Sequence, residues 1–248
     1  MSLQKVPVGT LLLPASGVSS IVKSINKFGL NESVASGGTE EIWDGSAVYS
    51  FPSTALMTSI SQTTDQVAMR GATIEVQGLD ANFAEVTQDL VLDASDTTTV
   101  VTLGTALIRC FRMKVQADVV SDSTIRVHNA GETQDYAIIG AGNNQTLMAI
   151  YTVPADKNAY MTNYWAHHNP VTGQDFTSNP IKLWAADRAN LYAKQLKHVV
   201  GLPVDGNFQH LFNPYPKFTE KTDIFLTSSP VLKDASVSAG FDLLIVDA

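Results

Sequence analysis

Charge is scarce in this sequence. Asp, Glu, Lys and Arg make up 16% of its 248 residues, against about 25% in a typical soluble domain. A surface so short of charge is built from Ser, Thr, Asn, Gln and Gly, or is covered by partners. The charge that is present runs negative, 24 acidic residues against 16 basic, with no basic cluster. Binding a phosphate backbone takes Lys and Arg to displace counterions, so a nucleic-acid surface is excluded. Cysteine is nearly absent as well. The single Cys110 has no partner for an intramolecular disulfide, and its place in the apolar run Leu107–Val115 predicts a small buried side chain, not a nucleophile. Long apolar runs are missing too, none approaching the ~20 residues a membrane-spanning helix needs. The opening MSLQKVPVGTLLLPASG imitates a secretory leader, but Pro7 and Pro14 interrupt it and its apolar core is very short, so secretion is not expected. No G-x-S-x-G, Walker loop or Cys/His pairing is found, so neither enzymatic activity nor a cofactor is expected.

What the sequence does contain is short alternating runs separated by Gly, Asp, Asn and Pro. Hydrophobic residues reach 44%, enough for real cores. Residues 1–38 read as an N-terminal arm with prolines, serines and no sustained alternation, in which Ser20–Phe28 has the spacing for one or two helical turns. From Thr39 the strands begin. Ala72–Val76, Glu85–Leu92, Thr97–Leu103, Leu107–Val115, Thr124–His128 and Asp135–Ile139 follow one another with turn residues between, and almost no room remains for helices. Pro154–Asn158 separates two alternating runs within Gln145–Asn169, which predicts a β-hairpin there. Beyond it, Ile181–Ala185, Phe208–Phe212, Asp223–Leu226 and Gly240–Val246 read as strands. Leu191–Val200 is ambiguous between helix and strand, with strand favoured by its surroundings. The expected fold is therefore all-β: an arm over 1–38 and two antiparallel, jelly-roll-like β-sandwich units over 39–150 and 151–248.

Three groups of residues carry a family resemblance. They are Ile25–Gly29 with Glu40–Gly45 and Tyr49–Ser53, the stretch Gln145–Tyr160, and the ending Phe218–Ser229 with Val237–Ala248. Together they resemble the all-β virion structural proteins of tailed bacteriophages, marine-phage types among them. The resemblance implies a particle component that works by packing against neighbours, with copies of itself and other virion proteins such as the major capsid protein as partners. Capsid decoration is the first reading, with a trimer as a plausible knob. A tail or head–tail adaptor and a carbohydrate-binding sandwich are the alternatives. The resemblance brings no ligand site.

Candidate chemistry is thin. His167 and His168 are adjacent, and in a strand adjacent side chains take opposite faces, so a shared metal is not expected. His128, His198 and His210 are isolated and read as structural. Asp93/Asp96 and Asp118/Asp122 lie at strand ends, where Asp favours local turn bonds. A loop calcium in such a sandwich is the other reading of these pairs, although the EF-hand pattern is absent. Gly140-Ala141-Gly142 reads as a hairpin turn, because no helix follows to receive a phosphate. Aromatics crowd the second half, mostly as core. The candidate interface residues are Ile25 and Phe28 in the arm, Trp43 at the first turn, and Phe176 and Tyr215 in loops, where they serve as packing anchors or sugar platforms.

Overall fold

The computed structural model describes residues 22–169, 178–203 and 205–248. Its strands begin with β1 (Val22–Val34), β2 (Glu40–Glu41), β3 (Met57–Gln62), β4 (Thr73–Leu79), β5 (Glu85–Val91) and β6 (Val101–Leu107). They continue with β7 (Arg109–Val115), β8 (Ile125–His128), β9 (Asp135–Ile139), β10 (Ile150–Thr152), β11 (Lys157–Asn169) and β12 (Asn179–Ala186). The last are β13 (Lys194–Leu202), β14 (Asn207–Leu211), β15 (Lys217–Phe218), β16 (Asp223–Ser228) and β17 (Ala235–Asp247). The only helical elements among the described residues are single 3-10 turns at Val67–Met69 and Arg188–Asn190. The fold is all-β, as expected.

Among the described residues every strand pair is antiparallel, and the strands form four sheets that pack as sandwiches. One has the order β6-β3-β8-β9 and faces a three-stranded sheet β5-β4-β7. Between them lie Met57, Ile60, Ile74, Val76, Met113 and Val127. A third sheet runs β1-β17-β11-β14, with β15 also on β11, and the fourth runs β10-β16-β12-β13, with β2 also on β16. The core of this second sandwich holds Tyr164, Phe241 and Leu243 from one sheet, and Leu183, Ile224 and Leu226 from the other.

The fourth sheet faces two cores. Ile224 and Leu226 point into the second sandwich, while Phe225, Ile150 and Ala186 point into the first. All six residues of β16 are buried. A strand covered on both faces reads as a continuous apolar run, which is why IFL carries no alternation.

An ion pair locks this shared sheet to the first sandwich. Arg109 opens β7 and Asp223 opens β16, and both are almost fully buried. Arg109 donates from Nε to Asp223 Oδ1 and from Nη2 to Oδ2, each at 2.8 Å. Its Nη1 donates to the carbonyls of Pro52 (2.6 Å) and Ile108 (2.8 Å), and Thr152 Oγ1 donates to Asp223 Oδ1. The guanidinium lies 5.4 Å from the Phe51 ring centre and 5.8 Å from that of Phe83. The pair is bidentate and each of its nitrogens and oxygens has a hydrogen-bond partner, the condition under which a buried ion pair is tolerated.

Three expectations are corrected. Val22–Phe28 is strand, not helix: β1 pairs with β17 from Val22↔Val246 to Val34↔Ala235. Sheet pairing overrides the helical spacing of Ile25 and Phe28, and the part of the expected arm from Val22 to Val34 is an intrinsic strand of the second sandwich. Residues 1–21 lie outside the described residues. Gly29 permits the fit of β1, since a Cβ there would stand 2.4 Å from both Ala149 N and Ile42 O. Lys27 adds a tie, its buried ammonium donating to the Phe111 carbonyl while burial lowers its pKa to about 7.

The expected central hairpin is a corner instead. β10 pairs with β16 and β11 with β17, so Val153–Asp156 carries the chain from one sheet to the facing one. Tyr151, Thr152 and Val153 are all buried. Burial on both faces is what distinguishes this passage from a half-exposed hairpin. The Gly140–Gly142 stretch does turn, with Gly142 at φ +82°. The chain after it, however, bridges Lys114 and Trp43 instead of pairing with β9.

Removing either partner of the ion pair leaves a buried charge without compensation. Arg109→Ala or Asp223→Ala should lower unfolding free energy by about 3–5 kcal/mol, read from urea midpoints. Arg109→Met combined with Asp223→Leu should recover a large part of that loss. A loss below about 1 kcal/mol for either single variant would mean that the pair is not the lock described.

Candidate assembly interface

The second sandwich is open along one side. Among the described residues β13 pairs only with β12, and β14 only with β11, so each is the edge of its own sheet. These edges lie beside each other. Their inward side chains close the gap: His198 and Val200 from β13, Phe208 and His210 from β14, and Phe212 just beyond it. The His198 and His210 rings stack with centroids 4.7 Å apart, and His210 meets Phe212 edge-on at 4.6 Å. Tyr164, buried on β11, shares a 2.5 Å hydrogen bond between its hydroxyl and His198 Nδ1.

The outward side is apolar for so lean a surface. Leu191 and Leu211 are 91% and 70% exposed, and Leu196 and Val199 are each about half exposed. Leu191 sits at φ +53°, closing the 3-10 turn that precedes β13. Exposed edge strands carrying leucine and valine invite pairing with another chain unless they are protected. Lys194 and Lys197 supply some protection on β13. Neither strand contains proline or is covered by another described element.

Beside β14 lies a groove of about 540 Å³ on the outer side of the β1-β17-β11-β14 sheet. Ile25, Leu211, Phe212 and Tyr215 give it apolar walls, and Asn26, Asn163 and Asp242 line it with polar atoms. Asn26 Nδ2 donates to Asp242 Oδ1 (2.5 Å) and Asn163 Nδ2 to Oδ2 (2.9 Å).

The structure brings two of the expected interface residues together, Ile25 and Tyr215, both on this groove. Phe28 lines a separate depression of about 570 Å³ with Trp165 and Leu147. Trp43 is no surface residue: it is 3% exposed, its ring meets Tyr49 edge-on at 5.1 Å and its Nε1 donates to the Ala47 carbonyl. The turn that follows it folds back over the indole, so it anchors the first core. Phe176 lies outside the described residues.

Other expectations settle as packing. Cys110 is buried, and burial pushes its thiol up to about 12. His168 is buried while the adjacent His167 is only half-buried, the alternation of a strand. Asp93 accepts from Ser95 N and Asp96 N, and Asp96 from Thr98 N, as turn residues do. His128 bridges Ser61 Oγ and the Asn129 carbonyl. Among the described residues no three His, Cys, Asp or Glu side chains are grouped to hold a metal ion.

The stacked histidines and the Asp242 groove were not legible in the sequence. Asn26 and Asp242 alone are separated by 216 positions, and no local pattern announces them.

No family model and no curated protein matches the chain. Among solved structures it is similar to a chain from "Structure of infectious bursal disease virus Gt strain", at 10% identity and a TM-score of 0.28. The alignment covers 92% of this chain and 71% of that one. Likeness at that level establishes neither a shared fold nor a role.

His198 makes this edge sensitive to acid. Burial, and secondarily the His210 ring, lower its pKa from the ordinary value near 6.5. A histidine with a depressed folded pKa contributes its stability above the unfolded value and loses it as pH falls below about 6.5. The urea midpoint should therefore fall more between pH 7.5 and pH 5 in the natural protein than in His198→Phe. Equal falls would remove His198 as the source.

Proposed function

We propose that this chain is a non-enzymatic virion structural protein, most directly a capsid decoration protein that bridges shell subunits by lateral packing. The observation that carries the reading is the open β13/β14 side, with Leu196, Val199 and Leu211 exposed on two sheet edges and Leu191 exposed on the turn before β13. Surface of this kind is stabilised by burial against a neighbour, at about 25 cal/mol per Å² of apolar area removed from water. The sequence resemblance to tailed-phage particle proteins supports the same reading, as does a surface lean in charge. The partners are copies of this chain and the major capsid protein.

The shared β16 sheet suits that role. A protein clamped between shell subunits is loaded across its own body, and a sheet common to two cores transmits load without a flexible joint. A ring-forming adaptor at the neck or tail would use the same edges with fewer copies.

Two measurements test the proposal. The number of copies per purified particle should be of the same order as the major capsid protein. A ratio of a few per cent would move the chain to the neck or tail, and absence from particles would overturn the virion reading. The double variant Leu196→Lys, Leu211→Lys should keep its urea midpoint within about 0.5 kcal/mol, as surface substitutions do, yet lose attachment to particles stripped of the protein. Undiminished attachment would clear these edges of the role.

A further inference from the structure

We infer that the groove floored by Asp242 is a binding site for a neutral saccharide. Its size falls in the range of small-molecule sites, which run from about 300 to 1,000 Å³. Its chemistry is divided in the way a sugar ring is divided. Tyr215, which is 42% exposed, presents aromatic surface, while Asp242 and Asn26 present hydrogen-bonding groups. A pyranose has C–H faces that pack on aromatic rings and a rim of hydroxyls that donate and accept.

The polar floor is arranged, not incidental. Each Asp242 oxygen receives one amide hydrogen, from Asn26 on β1 and from Asn163 on β11. An ionised carboxylate offers about four acceptor positions, so two remain for ligand hydroxyls. The carboxylate is fixed from both flanking strands, which removes its rotational freedom before any ligand arrives. Asn163 accepts a cost for this: its Oδ1 is buried with no hydrogen-bond partner. A buried acceptor left unpaired in order to aim a donor calls for an explanation beyond stability.

Other ligand classes fit less well. The groove is lined by no Lys or Arg, and its single charge is the Asp242 carboxylate, so phosphate and acidic sugars meet repulsion. One carboxylate with two amides already bonded to it is a poor cage for calcium, which takes six to eight oxygens. The site rests on the β1, β11 and β17 pairing and the Tyr215 loop, and it shares only Leu211 with the edge proposed for assembly.

The test is saturation-transfer NMR on the full chain with a panel of neutral hexoses, N-acetylhexosamines and their disaccharides, followed by titration of any binder. At least one member should bind, and Tyr215→Ala and Asp242→Asn should each weaken it by about tenfold or more, as expected for losing a ring contact or a charged acceptor. Tyr215→Ala changes an exposed loop side chain, so its fold, checked by an unchanged urea midpoint, keeps the result interpretable if Asp242→Asn disturbs the strands. Absence of binding by every member at millimolar concentration, binding of acidic sugars alone, or affinity unchanged in both variants would each overturn the assignment. Particle attachment, tested separately, is expected to be unaffected by Asp242→Asn.

Discussion

Asp223 opens a strand that is covered on both faces, and the carboxylate is reached by Arg109 from the other sandwich through two parallel hydrogen bonds. The architecture depends on that contact. Were β16 exposed on either face, its Ile224-Phe225-Leu226 run would leave one core without a wall. Because it is covered, the charged head of the strand has to be neutralised inside the protein. Arg109 does so while also satisfying two backbone carbonyls and lying against Phe51 and Phe83. The two cores are coupled by the shared sheet, by this buried ion pair, and from β1 by the exposed Lys23–Glu85 pair and the Lys27 bond to the Phe111 carbonyl. Desolvation makes such a pair a poor source of net stability but a strong determinant of alignment, because misplacing either partner strands a charge.

With the interior arranged in this way, the second sandwich has one weak side. β1 closes one end of its sheet and is itself held through Lys27 and the close approach at Gly29. The opposite end, where β14 and β13 lie beside each other, is closed by Val200 and the packed rings of Tyr164, His198, Phe208, His210 and Phe212. Rings inside and leucines outside describe an edge that is adequate in isolation and better buried.

Much of this fold was legible in the sequence, and the failures share a cause. Short alternating runs with Gly, Asp and Asn between them specify strands, because period two is a property of the backbone. Leu191–Val200, read as strand from its all-β surroundings against helical propensity, is strand from Lys194 onward. Where alternation was replaced by burial on both faces, at Tyr151–Val153, local pattern could not say which sheet received which strand. The segment 22–34 misled for a related reason: its pairing partner lies more than 200 residues away at β17. Of the candidate interface residues, Tyr215 is exposed, as a loop aromatic suggests, and Trp43 is buried, because a single Trp before a turn looks alike whether the chain folds over it or away. The Asp242 cradle had no signal to find. Three strands distant in sequence build it, and Asp and Asn at alternate strand positions look like ordinary solvent-facing residues.

Hydrogen exchange at the edge strands tests the central claim, assembly through the open side, most directly. Amides of β13 and β14 would be followed in the isolated chain and in particles or oligomers that contain it. The account predicts marked slowing at Lys194–Leu202 and Asn207–Leu211 on assembly, while β16 and β17 are equally protected in both states. Unchanged exchange at both edges, with protection appearing elsewhere, would contradict it.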